Sequence, residues 1–433
     1  MTEPLLDADR RAVWHPFTQH SWWPADDPLV ISRADGVWLY DEHGEKYVDG
    51  FSSLWVTVHG HNEPRINEAI SRQAATLDHS TFLGFTHEPG IRLAEALVAR
   101  TPSRLTRAFF AGDGSSAVEA GIKMAYQAKL QQGQPRPLFV HVAEGYHGDT
   151  LGAVSVGGID VFHHTYQPIL LRTRMISSPG VREPGQSPAE RAGEVLDELR
   201  ELLTRVGDQV CAVVVEPLVQ AAGGMLTHDA GFLRGTRQLC TEYGAYLLTD
   251  EVATGIGRTG TMWAVEQAGV EPDLLTCGKG LTGGVLPLSA VLASEEIYES
   301  FLGDGSRTFF HGHSFTANPL CAAAALANLE LIDERETLAH AAWIGRTLGD
   351  LLKPLADDDR VVEVRRIGTM TGIELAPHGE RTGFRVCTAA RELGVITRPL
   401  GDVVILMPPL GIAEPELRQL VAAVQHGLDR VYT

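Results

Sequence analysis

Lysine is scarce in this chain: the 36 basic residues include only Lys46, Lys123, Lys129, Lys279 and Lys353. Lys279 sits in an apolar, glycine-rich stretch, DLLTCGKGLTGG (273–284). A lysine amine can lose its proton when desolvated and attack a carbonyl, which a guanidinium cannot do. Four other stretches share a pattern with it, an apolar run that ends in polar residues. AFFA (108–111) runs into Gly112, Asp113, Gly114, Ser115 and Ser116. LFVHV (138–142) is followed by Glu144, Gly145, Tyr146 and His147. CAVVV (211–215) ends at Glu216, and AYLLT (245–249) at Asp250 and Glu251. Taken singly, each feature has a commoner use: a solvated lysine, a helix-capping aspartate, a core tyrosine, a turn-and-cap of glycine and serine. Their recurrence after consecutive apolar runs is what points to a site.

The elements that must position these residues follow from the pattern. From about residue 62 to 330, short near-continuous apolar strands alternate with helices, including one at about 115–130. That alternation implies a mostly parallel sheet covered on both faces. In such sheets ligands bind beyond the carboxyl ends of the strands, where the polar residues above fall. GVWLYDEHGEKYVDGFSS reads as two short strands around a turn, and REPGQSPAER (182–191) as a surface loop before a helix. Residues beyond about 330, with VVEVRRIGTMTGIEL and a last helix at about 413–431, read as a smaller α+β unit. The expected division is a segment 1–61 that joins the small unit, a large unit 62–328, and a small unit 329–433.

One cofactor matches the assembled groups. Pyridoxal 5′-phosphate (PLP) carries an aldehyde for Lys279, a pyridine nitrogen for Asp250, a ring for Tyr146 to stack on, and a phosphate for Gly114, Ser115 and the helix start. A second motif competes. GIGRTG (255–260) matches the G-x-G-x-x-G dinucleotide fingerprint, with Glu271 or Asp273 downstream, and so suggests an NAD-dependent dehydrogenase. Against it, five residues separate strand from first glycine, and two of them are acidic. A non-catalytic binding protein on the same fold is a third reading.

LLTDEVATGIGRTGTMWAVEQAGVEPDLLTCGKGLTGG and SFTANPLCAAAALANL resemble the class III (ω-amino) aminotransferases over nearly the whole chain. The resemblance implies the α/β PLP fold type I, like aspartate aminotransferase, with a large domain around a mostly parallel seven-stranded sheet and a small α+β domain. WHPFTQ (14–19), DGFSSLWVTVHGH (49–61), YHGDTLGAVSVGG, FFHGHSFTANP and TRPLGDVVILMPP are most similar to the branch that aminates 8-amino-7-oxononanoate to 7,8-diaminononanoate in biotin biosynthesis. A general ω-amino acid or diamine transaminase is the alternative within the family. By motif, Lys279, Asp250 and Tyr146 are the expected catalytic residues. Gly114, Ser115, Tyr146, His147, Glu216, Asp250, Val252 and Lys279 would bind PLP, with His313 and Ser314 reaching the cofactor of a second subunit in a homodimer. Phe17, Leu54, Trp55, Tyr146, Gly312 and Arg398 would face substrate, Arg398 pairing with a carboxylate. GIGRTG then becomes a family loop. Members that use S-adenosylmethionine as amino donor typically have Tyr at Phe17 and Trp at Leu54, so these two positions lean to lysine as donor.

Composition narrows the class further. The formal net charge of −19 over 433 residues, with no basic run, argues against nucleic acid or an anionic membrane as partner. Cys211, Cys240, Cys277, Cys321 and Cys387 form no C-x-x-C pair, so neither a zinc site nor a disulfide framework is expected, and a reducing cytoplasm fits. The N-terminus lacks the features of a signal peptide, and no apolar run approaches the ~18 residues of a membrane span.

Overall fold

The computed structural model describes residues 4–433. Its centre is a seven-stranded sheet in the spatial order Leu105–Ala111, Ser289–Ser294, Leu274–Cys277, Tyr246–Asp250, Val210–Val215, Leu138–Val142 and Thr173–Ile176. Only Ser289–Ser294 runs antiparallel to its neighbours. Successive side chains of a strand point to opposite faces, and here each face meets its own core. Val213, Val215, Leu247 and Leu275 enter one apolar cluster. Ala212, Val214, Leu248 and Leu274 enter the other. Both faces are therefore dry, which is why these strands are continuous apolar runs and not alternating ones.

Sequence reasoning located five of the seven strands, four to within a residue and Leu105–Ala111 only in its last four residues. It did not identify Thr173–Ile176, whose edge position leaves it half-buried, or Ser289–Ser294. The helix expected at 115–130 spans Gly114–Gln131, and the last helix spans Glu414–Val431.

The two ends of the chain fold together. Trp38–Asp41 and Lys46–Asp49 pair as the antiparallel hairpin expected from GVWLYDEHGEKYVDG, and Lys46–Asp49 then pairs in parallel with Val395–Ile396. Val37 and Val48 share an apolar core with Ile344, Leu375, Val404 and Leu420. A second four-stranded sheet, in the order Val361–Ile367, Met370–Leu375, Val403–Leu406 and Arg398–Leu400, has Arg398 on its edge strand.

Candidate active site

At the carboxyl ends of the large sheet's strands lies a cavity of about 250 Å³, walled by Trp55, Asp113, Gly114, Ser115, Tyr146, His147, Asp149, Glu216, Asp250, Val252 and Lys279, among others. Asp250 is the last residue of its strand and is buried. One of its oxygens pairs with His147 Nδ1 at 2.8 Å; the other accepts from Val252 N and Thr276 Oγ, both at 3.0 Å. Burial alone would lower the His147 pKa, but the hydrogen bond and charge of Asp250 outweigh it and raise it. The pair is thus a hydrogen-bonded, fixed group on the cavity floor.

Glu216 is tied in by backbone: its two oxygens accept from Tyr146 N and Ala221 N, each at 3.0 Å. Burial pushes its carboxyl up to about 7. The Tyr146 hydroxyl donates to Asp149 at 2.9 Å, and burial together with that carboxylate raises the phenol's pKa. Lys279 follows its strand in a left-handed backbone conformation (φ 43°). Burial lowers its ammonium pKa, against the raising influence of Asp250 and Glu216. A desolvated amine in this position is more readily neutral than a surface lysine.

The helix Gly114–Gln131 starts at the cavity. The side chain of Asp113 caps it, accepting from Ser116 N and Ser116 Oγ, both at 3.0 Å. Ser115 Oγ accepts from Asp149 N at 2.7 Å, and its own proton has no acceptor among the described residues. A hydroxyl so held at a helix N-terminus suits an anion. Space is close there as well. A Cβ on Gly114 would lie 2.7 Å from Val252, and one on Gly148 (φ +121°) 1.7 Å from Ser115 Oγ. The donor set therefore fits the PLP group by group: an anion cradle, a carboxylate–imidazole pair, an aromatic and a depressed amine.

A second cavity of about 120 Å³ shares Trp55, Tyr146, Ala222 and Lys279 with the first and adds Phe17, Leu54, Phe162, Arg398 and Leu400. Its wall is mostly apolar. Arg398 is half-buried, burial lowers its pKa, and no described residue accepts a hydrogen bond or an ion pair from it. Leu54 and Trp55 belong to a run of four non-glycine residues with positive φ, Ser52 to Trp55 (54°, 47°, 77° and 71°). Such backbone costs about 1–2 kcal/mol per residue, so the turn is held by its surroundings.

The structure brings together every expected site residue except three. Gly312, His313 and Ser314 lie on an exposed segment outside both cavities, although His313 Cε1 is 3.4 Å from where a Cβ on Gly112 would sit. Sequence reasoning missed Asp149, Thr276 and Phe162. Asp149 carried a signal, three residues after Tyr146. Thr276 carried one only in register, since it pairs with Asp250 across two strands. Phe162 carried none. GIGRTG does not open a helix. The next one is five residues long, Ala264–Ala268, and its first amides, Ala264 N and Val265 N, already bond Glu251 at 3.0 and 2.9 Å. Arg258 is buried and donates to Pro408 O (2.8 Å) and Thr57 O (2.7 Å). The motif is an internal clamp, and the first amides of the short helix after it are already bonded, which removes the dehydrogenase reading.

Comparison with known proteins gives the family. The class-III aminotransferase model matches residues 23–428. An adenosylmethionine-8-amino-7-oxononanoate aminotransferase of Nitratidesulfovibrio vulgaris is 47% identical, with 99% of this chain and 83% of that one covered. The crystal structure of the enzyme so named from Methanocaldococcus jannaschii superposes with a TM-score of 0.93 at 37% identity, covering 99% of both chains. A PLP-bound amine transaminase from an uncultivated Pseudomonas species gives 0.93 at 32% identity, covering 97% of this chain and 99% of that one. With the family model spanning residues 23–428 and relatives this similar over nearly the whole chain, this chain belongs to the class-III aminotransferases, PLP-dependent transaminases.

Proposed function

We propose that the chain aminates 8-amino-7-oxononanoate to 7,8-diaminononanoate, the step of biotin biosynthesis for which its relatives are named. The observation that carries the substrate reading is Arg398. A half-buried guanidinium without a partner among the described residues, on a mostly apolar wall beside the reactive amine, suits a long apolar chain that ends in a carboxylate.

PLP, when bound, supplies an aldehyde carbon for the amino group and a ring that draws off negative charge. Asp250, braced by His147, would hold a proton on the ring nitrogen. Gly114, Ser115 and the helix start would hold the phosphate, Tyr146 and Val252 would flank the ring, and Glu216 would fix the Tyr146 backbone. Lys279 Nζ would take a proton from the substrate carbon and return it on the other side of the reaction, a task that needs a neutral amine. Phe17, Leu54 and Trp55 would form the apolar wall, and Tyr146 would meet both ligands. His313 and Ser314 belong to the proposal through a homodimer, in which their exposed segment, with Gly312, would complete a second subunit's site. Residues 62–328 would be the cofactor unit and 1–61 with 329–433 the small one. The five cysteines are all unpaired and buried, which supports a reducing cytoplasm. No helix of the described residues is long and apolar enough to cross a membrane.

The donor is S-adenosylmethionine on the strength of the relatives' names; lysine is the second reading, favoured by Phe17 and Leu54. The test is a set of single half-reactions on the yellow, PLP-loaded protein. S-adenosylmethionine or lysine should bleach it, and 8-amino-7-oxononanoate should restore the colour. Bleaching by β-alanine or a diamine alone, with no recovery on adding 8-amino-7-oxononanoate, would replace the biotin reading with a general ω-transaminase.

A further inference from the structure

Leu54 and Trp55, two walls of the apolar cavity, are the last of the four left-handed residues 52–55. Four such residues in sequence do not hold themselves, since L-residues with side chains avoid this region. Two backbone bonds close the turn, Trp55 N to Phe51 O at 2.8 Å and Val56 N to Ser52 O at 3.0 Å. Ser52 Oγ ties it to the second small sheet through Met407 O at 2.6 Å. The densest anchor is Asp49. Its buried carboxylate accepts from Ser53 N (2.9 Å), Ser53 Oγ (2.8 Å) and, more distantly, Phe51 N (3.4 Å), and pairs with His61 Nε2 at 2.9 Å. Asp49 lines neither cavity. Its whole hydrogen-bonding capacity is spent on the turn and on the histidine behind it.

We infer that Asp49 is a positioning residue for substrate selectivity: by holding residues 52–55 left-handed, it sets where Leu54 and Trp55 stand in the apolar cavity. The inference rests on the function proposed above. Without the carboxylate, the turn has an available relaxation toward ordinary backbone that would carry both side chains out of register with Lys279 and Arg398. Asparagine keeps one acceptor oxygen for the two amides and offers an NH₂ that serine and histidine can both accept, so it preserves the anchor.

The test uses PLP-loaded protein and five variants: Asp49→Ala, Asp49→Asn, Ser53→Ala, Leu54→Ala, and Asp49→Ala combined with Leu54→Ala. Asp49→Ala should raise KM for 8-amino-7-oxononanoate roughly tenfold with kcat within about twofold, and Asp49→Asn should stay near wild type. Ser53→Ala, which loses only the hydroxyl bond, should shift KM about threefold. On a Leu54→Ala background the effect of Asp49→Ala should shrink to about threefold, because one of the two displaced side chains is gone while Trp55 remains. The visible absorbance of bound PLP should be unchanged in all. An unchanged KM in folded Asp49→Ala overturns the inference, as does an equal effect with and without Leu54. Should Asp49→Ala fail to fold, Ser53→Ala decides alone, and an unshifted KM there overturns it. Wild-type protein that ignores 8-amino-7-oxononanoate would instead strike the proposed function.

Discussion

Asp250 reaches its cavity from the end of a fully buried strand and is held by three neighbours, His147, Val252 and Thr276. Arg398 reaches the adjoining cavity from a three-residue edge strand and is held by no described residue. The first group is positioned by the protein itself; the second has no protein partner among the described residues. The proposed cofactor half is polar, inside the large sheet's rigid ends, and its dipoles are fixed before any chemistry begins, which is where electrostatic stabilisation costs least reorganisation. The proposed substrate half is apolar and assembled from residues 17, 54, 55, 162, 398 and 400, on loops and edges that vary at small cost to the core. One fold can thus keep its reaction and change its substrate.

The largest test of this contrast is Lys279→Ala. Transamination should fall by about 10³-fold or more, and borohydride should no longer fix the cofactor to the chain, as read by mass spectrometry. Full activity in that variant would break the comparison outright. Asp250→Asn should come next, lowering kcat about 10²–10³-fold with KM little changed, because a fixed charge is lost where charge develops. Across the boundary the signature should invert. Arg398→Ala should raise KM for a carboxylate-bearing acceptor roughly 10–100-fold and leave kcat and cofactor absorbance close to wild type. A collapse of kcat there would mean that the two halves are not separable. Smaller still, Phe17→Tyr with Leu54→Trp should move the preference between S-adenosylmethionine and lysine by about tenfold, measured as the ratio of half-reaction rates.

The smallest effect is on stability, and it belongs to the cofactor half. Burial raises the Glu216 carboxyl to about 7 in the folded protein. A raised acid stabilises the fold fully below its ordinary carboxylate value, and that contribution is lost as pH rises through about 7. His147, also raised, acts with the same sign. Lys279, lowered, acts with the opposite sign, but its window runs from its lowered value up to the ordinary lysine range. The Tm of cofactor-free protein should therefore fall between pH 5 and pH 8. Glu216→Gln should flatten that slope while lowering Tm throughout, since an amide can accept from only one of the two backbone N–H groups.

The same contrast explains what could be read from the chain alone. Lys279, Asp250, Tyr146 and Glu216 were legible as chemistry because each follows an apolar run, and a run buried on both faces ends where polar groups can begin. Thr276 was not, because it acts through register with a neighbouring strand. Phe17, Leu54 and Arg398 came only through family resemblance, since nothing local joins residues 17, 54 and 398. Phe162 escaped both routes. The antiparallel strand Ser289–Ser294 is as apolar as its neighbours, and composition carries no direction. GIGRTG competed for the opposite reason: a local pattern fits, but Arg258 is spent on carbonyls at residues 57 and 408.

The pairing of Lys46–Asp49 with Val395–Ile396 has a consequence for synthesis. The strand that precedes the left-handed turn leaves the ribosome early, and its partner is among the last segments to follow. At ordinary translation speeds that delay is roughly 20–70 s. During it the hairpin has one unsatisfied edge, the kind of surface that invites wrong pairing. The catalytic sheet can close meanwhile, so a nascent chain stalled near residue 390 should already hold the lysine–aspartate floor yet have no substrate pocket.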